Sequence, residues 1–203
     1  MELILIRHAK AFERDALKWP DDSRRPLTEE GVRDFRRLAK RLGRLVPAVE
    51  LVESSAFERA WATAEILRDR AGWPKPRRSE RLEPGGGEGL SREGLSREGP
   101  SREGLSHEGL GRERMQALAR SIAAMHGLRT VVWVGHEPMF SCLASFLLTG
   151  SIDAMKIDFA KGAALALRFQ PPVDTAAPPE ASSVVGRAQM LWMLTPRMVR
   201  RMR

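Results

Sequence analysis

Two stretches of the chain, LILIRH (residues 3–8) and TVVWVGH (residues 130–136), set the first limit on what it can fold into. Each is an unbroken apolar run that ends in a histidine. A run without polar alternation has no face to offer to water, so it fits a strand buried on both sides of a parallel sheet. Parallel strands need long crossovers, and the segments that follow supply them. After RRPLTEEG, Thr28 is placed as an N-cap, and Val32, Phe35, Ala39, Leu42 and Leu45 keep helical spacing until Pro47. A strand near VELVES leads to a second helix carrying Ala60, Trp61, Ala64 and Leu67, ended by Gly72 and Pro74.

Further on, MQALARSIAAM predicts a helix up to Gly127, and PMFSCLASFLL an apolar helix with Pro138 in its first turn. GAALALRFQ and AQMLWMLTP read as two closing strands, joined by a Pro-, Ala- and Ser-rich stretch taken as a flexible connection over 171–187. Alternating strands and helices predict an α/β fold, a three-layer α/β/α sandwich with a mostly parallel central sheet. The length of 203 residues fits one domain, read as residues 1–195 with a basic C-terminal tail at 196–203.

Residues 88–112 are different in kind: EGLSR, EGLSR, EGPSR, EGLSH, EGLGR, five tandem pentamers. A period of five matches neither a helix face nor a strand face, and a glycine in every copy weakens a helix. Five residues are too few for a repeat unit with its own core. The segment therefore reads as a mobile surface insertion whose removal over 88–107 leaves folding and turnover largely intact.

Charge narrows the function classes less than it first suggests. The formal net charge is +8, but RMVRRMR carries part of the excess and reads as a solvated tail. No nucleic-acid motif or interleaved aromatic and basic surface stands out, so no specific nucleic-acid partner is expected. No apolar run reaches the roughly 20 residues of a membrane span, and no basic leader precedes the opening run. Cys142 is the single cysteine, which leaves no disulfide framework or thiolate metal cluster. These features predict a cytoplasmic protein without metal or cofactor.

The two histidines gain meaning from where their strands end. In open α/β sheets, ligands bind at the carboxyl edge. There the sequence delivers Arg7 and His8, His136, and, after the strand ending at Ser54 and Ser55, Arg59 in the first turn of the next helix. Two imidazoles and two guanidiniums suit a phosphoryl group: arginine forks take its oxygens, and cations offset its charge during transfer. A neutral imidazole among them is available as a nucleophile near pH 7 without a separate base.

These residues carry a resemblance to a known family. RHAK resembles the RHG-type signature of the histidine phosphatase superfamily, with Ala9 where glycine is commonest. SSAFERAWATAEIL is similar to its S-S-x-x-x-R-A-x-x-T-A segment, and VGHEP to its second-histidine motif. DSRRPLTEEG and LEPGG look most like the SixA-type phosphohistidine phosphatases. The resemblance implies a phosphoglycerate mutase-like fold, His8 as the phosphate-accepting nucleophile, and Arg7, Arg59 and His136 as the rest of the phosphate pocket. It also implies a metal-independent phosphatase acting on phosphohistidine in a protein, such as a phosphorelay histidine domain. A broad phosphomonoesterase on small phosphate esters and a non-catalytic phosphate-binding regulatory module are the alternatives. For the general acid the family's two usual places fall near Glu83 and Glu137. An imidazole leaving group can be protonated without the enzyme near neutral pH, whereas an alkoxide needs a donor, so a weak acid favours phosphohistidine.

Other residues carry bland readings. Thr63 and Thr28 are expected to pack and cap, and Ser54 and Ser55 to cap the next helix, with lining the pocket as the alternative. Lys161 reads as an exposed lysine, with a reach toward the phosphate as the alternative, and His126 as a helix C-terminal residue. His107 fills an arginine slot in the fourth pentamer. Trp61, Trp133 and Trp192 read as core, and Cys142 as a small buried hydrophobe.

Overall fold

The computed structural model describes residues 1–85, 111–170 and 180–202. The elements run β1 (Glu2–Arg7), α1 (Glu29–Leu45), β2 (Leu51–Ser54), α2 (Glu58–Ala71), β3 (Arg77–Arg78), α3 (Arg112–Ala123), β4 (Thr130–Gly135), α4 (Met139–Thr149), β5 (Ala164–Phe169), β6 (Ala188–Leu194) and α5 (Pro196–Arg201). One six-stranded sheet has the order β3-β2-β4-β1-β5-β6. The pairs β3/β2, β2/β4 and β4/β1 are parallel, while β5 and β6 add an antiparallel edge.

The continuous apolar runs are explained by cover on both faces. Leu3 and Leu5 of β1 join Val131 and Trp133 of β4 against α3 and α4. Ile4 and Ile6 alternate to the other face, with Val132 and Val134, against α1, α2 and Val199 of α5. All eight of these strand side chains have no exposed surface. At roughly 1.5–3 kcal/mol for each fully buried large apolar side chain, this central pair dominates the packing.

Thr28 caps α1 as the sequence predicts, accepting from Gly31 N at 3.0 Å. Gly31 has a second reason to be glycine: a Cβ there would stand 2.0 Å from the Lys10 carbonyl oxygen. The helix N-terminus thus lies against the segment that follows His8.

Several expectations are corrected. The C-terminal residues are not a solvated tail: Thr195 caps α5, accepting from Met198 N, Val199 is buried, and Arg200 pairs with Asp34 of α1. Nor are residues 180–187 a featureless linker. Ala181–Ser183 form a turn of 3-10 helix, and Val184 is buried in the cluster that holds α3. The remainder of that connection, 171–179, and the pentamers over 86–110 lie outside the described residues. Trp133 is core, but Trp61 and Trp192 are only half-buried, and Trp61 lies under the Arg78 guanidinium at 4.8 Å. Leu45, in the last turn of α1, is 53% exposed although it keeps the helical spacing of the buried residues. The two-residue strand β3 is too short to leave a period in the sequence.

Candidate active site

The sheet register brings the predicted residues together. Arg7 pairs with Gly135 and Ser54 with Val134, so the three parallel strands end level. The ladder continues for one more residue: His8 N donates to Gly135 O and Ser55 N to Val134 O, both at 3.0 Å. From the other side, Gly162 N donates to His8 O at 2.9 Å. His8 and His136 emerge as neighbours, their ring centroids 5.2 Å apart.

The hydrogen bonds of each ring fix its proton. His8 Nδ1 lies 2.7 Å from the main-chain oxygen of Ala9. A carbonyl only accepts, so Nδ1 carries the proton and Nε2 keeps a free lone pair in the neutral ring. His136 is held by the opposite nitrogen: Nε2 lies 2.9 Å from Ser55 Oγ. Ser55 Oγ already accepts from Phe57 N at 3.2 Å. Among the described residues its proton has no other acceptor, so Ser55 donates to Nε2 and Nδ1 carries the His136 proton. That Nδ1 is buried without a partner among the described residues.

Both rings are held neutral. Burial, with the Arg59 and Arg7 charges, lowers the His8 pKa to about 3. Burial, His8 and the same arginines push His136 well below the usual histidine range. The arginines are themselves anchored. Arg7 Nη1 donates to Phe159 O at 2.6 Å. Arg59 donates from Nη1 to Asp22 O at 2.8 Å and from Nη2 to Asp22 Oδ2 at 3.0 Å. The Phe57 ring contacts both the Arg59 guanidinium, at 5.0 Å, and His136, at 5.3 Å. Arg7 Nε and Arg59 Nε, like His136 Nδ1, are buried without a partner among the described residues. Buried donors of this kind are costly unless something accepts from them. The arrangement is suited to an anion with several oxygens.

The two acid candidates are placed differently. Glu137 is largely buried, and burial raises its pKa. Its carboxylate accepts from Ser141 N at 3.2 Å and Ser141 Oγ at 2.6 Å in the first turn of α4. Its charge opposes the lowering of the Arg7 pKa, but among the described residues it makes no ion pair with Arg7. Glu83 follows the 3-10 turn Glu80–Leu82, and its main-chain oxygen accepts from Arg114 Nη2 at 2.5 Å. Among the described residues, its carboxylate makes no hydrogen bond or ion pair with the histidines.

Three connections escape the sequence reading. Ser55 orients His136 instead of capping a helix, and Ser54 Oγ donates to Ser55 O. Thr63 Oγ1 accepts from Ala9 N at 3.0 Å and donates to Arg59 O at 2.6 Å, tying the turn after His8 to the helix that carries Arg59. Asp22 binds Arg59 across 37 residues. Its only sequence signal is its place in DSRRPLTEEG. The lesser readings hold at the surface: Lys161 is part-exposed and pairs with Glu13 at 3.8 Å, and His126 Nδ1 lies 3.2 Å from Ala123 O at the end of α3. Cys142 is buried in α4, and burial pushes its thiol up to about 11. A separate cleft of about 540 Å³, with Lys10, Asp34, Lys161 and Arg200 in its walls, includes neither histidine. Among the described residues no cluster of three or more His, Cys, Asp or Glu is placed to hold a metal ion, and no helix is long and apolar enough to cross a membrane.

A family model described as the histidine phosphatase superfamily (branch 1) matches residues 3–172. No curated protein matches the chain. Among solved structures, the chain is similar to the protein histidine phosphatase SixA complexed with tungstate, with 21% identity and a TM-score of 0.68, covering 98% of this chain and 99% of that one. It is also similar to a phosphoserine phosphatase from Entamoeba histolytica, with 17% identity, a TM-score of 0.60, and 97% and 98% covered. A mycobacterial glucosyl-3-phosphoglycerate phosphatase gives 17% identity, a TM-score of 0.58, and 93% and 96% covered. At these identities the structural likeness shows the fold, a phosphoglycerate mutase-like one.

Proposed function

The chain belongs to the histidine phosphatase superfamily, and from that premise we propose that it is a metal-independent phosphatase working through a phosphohistidine enzyme, with phosphohistidine in a protein as its substrate. The observation that carries this reading is the opposite anchoring of the two rings. His8 is left with a lone pair on Nε2, and His136 with a proton on Nδ1.

In the first step His8 Nε2 attacks phosphorus in line. The P–Nε2 bond forms as the bond to the substrate imidazole breaks, and the imidazole departs with the electron pair, carrying a proton taken from solvent. Arg7 and Arg59 hold the equatorial oxygens through their guanidinium groups, and His136 donates from Nδ1. In the second step water attacks the phosphoryl group. The P–Nε2 bond breaks, His8 regains its lone pair, and inorganic phosphate leaves.

Two observations bear on the substrate. Both Glu137 oxygens are occupied by Ser141, and the Glu83 carboxylate has no partner in the group, so neither is a committed acid. An imidazole leaving group does not require one, because it is protonated readily near neutral pH. The names of SixA and of the two ester phosphatases above divide along the same line. The second reading, a broad phosphomonoesterase, is favoured by one observation: burial raises the Glu137 pKa, the direction a general acid needs.

The test is phosphate release from an aryl phosphate and from a phosphohistidine protein in excess chelator, for the wild type and His8→Ala. The proposal requires chelator-resistant turnover that is lost with His8 and is faster on the phosphohistidine protein. Faster turnover of alkyl esters selects the second reading. Phosphate binding without turnover selects a regulatory module.

A further inference from the structure

Asp22 lies on the segment between β1 and α1, 37 residues from Arg59, yet three guanidinium groups converge on it. Arg59 uses both Nη groups: one on the Asp22 main-chain oxygen at 2.8 Å, one on Oδ2 at 3.0 Å. Arg25 Nε donates to Oδ1 at 2.8 Å, and Arg14 Nε lies 3.5 Å from the same oxygen. Arg25 is itself tied down, its Nη1 donating to Phe12 O at 2.5 Å. The Arg59 side chain is 5% exposed, so its charge has little water to turn to.

We infer that Asp22 is the positioning residue for Arg59. It fixes the guanidinium plane beside the two histidines and supplies a negative charge on which three arginines gather at one edge of the pocket. The inference rests on the reading of Arg59 as a phosphoryl ligand. Two N–H groups on Asp22 set the rotation and tilt of a planar fork, and Nε remains for the bound oxyanion. The carboxylate is ionised near neutral pH: burial raises its pKa, but the hydrogen bond from Arg25 and the Arg59 charge outweigh this and hold it at about 2. Without it, Arg59 is left buried without a counter-charge and next to Arg25, an arrangement that favours a swing toward solvent.

The probe is inorganic vanadate, which mimics phosphoryl transfer, with its affinity measured on the full chain as wild type, Asp22→Ala, Asp22→Asn, Arg59→Ala and the double variant Asp22→Ala/Arg59→Ala. Asp22→Ala is expected to weaken vanadate binding about tenfold to a hundredfold, the value of a hydrogen bond to a charged group. Asp22→Asn, which keeps an oxygen for Nη2 and the shape of the turn, recovers part of the loss and serves if the alanine variant does not fold. The double variant is expected to bind no more weakly than Arg59→Ala alone, since Asp22 acts through that arginine. An equal loss in both backgrounds overturns the inference and leaves Asp22 a general structural residue. Unchanged affinity in Arg59→Ala overturns the reading of Arg59 as well, a separate and recognisable result.

Discussion

The ends of β1 and β4 are written almost alike, an apolar strand running into a histidine, and they differ in which ring nitrogen the chain uses up. At the β1 end a main-chain oxygen takes the proton of Nδ1, and the next turn is closed by Thr63 and by the N-terminus of α1. At the β4 end a serine hydroxyl occupies Nε2, and the ring stands against Phe57. One pattern therefore leaves a ring with a free lone pair at one end and a ring with a free N–H at the other. The distinction lies in single hydrogen bonds from elsewhere in the chain.

The largest effect should separate the two ends directly. His8→Ala removes the proposed nucleophile, and phosphate release is expected to fall about 10⁴-fold or more. His136→Ala removes one donor to the equatorial oxygens and should cost about 10²–10³-fold. Equal losses would erase the difference in role.

A second pair of substitutions compares how tightly each end is built. Gly31→Ala sets a methyl 2.0 Å from a main-chain oxygen beside the His8 turn, whereas Gly135→Ala sets one 2.7 Å from the Phe140 ring. A ring can shift more easily than backbone. Overpacking of this kind costs roughly 1–3 kcal/mol. Urea denaturation should place Gly31→Ala near the top of that range and Gly135→Ala lower. The reverse order would mean that the β4 end is the stiffer one.

The pH dependence of stability tests the neutral state of both rings. Each folded pKa lies below the ordinary value of 6.5, at about 3 for His8. The unfolded chain therefore binds protons that the folded chain does not. The stabilisation is full above pH 6.5 and is lost as pH falls toward 3, with each ring contributing up to about 1.4 kcal/mol per pH unit. Glu137, raised by burial, works in the opposite sense by one carboxylate. Denaturation between pH 7 and pH 5 should show a steeper loss for the wild type than for His8→Asn, and parallel curves would place His8 in contact with water.

The smallest effect is expected from Ser55→Ala, which frees the His136 tautomer. A neutral hydrogen bond is worth about 1 kcal/mol, so turnover should fall about fivefold, with protein stability affected by a similar amount.

What was legible in the sequence is what repeats or caps locally. Continuous apolar runs gave the buried parallel strands, Thr28 gave the start of α1, and strand ends gave Arg7, His8 and His136. Arg59 came with its motif. Asp22, Ser55 and Thr63 were not legible as partners of Arg59, His136 and Ala9, because each acts through one side chain at a separation of 37, 81 or 54 residues, which leaves no period to read. The docking of α5 was hidden for a related reason. Its arginines dominate RMVRRMR, while the single buried Val199 and the Arg200–Asp34 pair hold it to α1.

The most direct test of the central claim is to mix enzyme with a phosphohistidine protein, quench into alkali within the first turnover, and map the phosphoryl group on the chain. Alkali preserves a phosphorus–nitrogen bond. The expected result is a phosphoryl group on His8, bonded through Nε2, that forms and decays with the release of phosphate. A phosphoryl group on another residue, or full-rate release with His8 never modified, would contradict it.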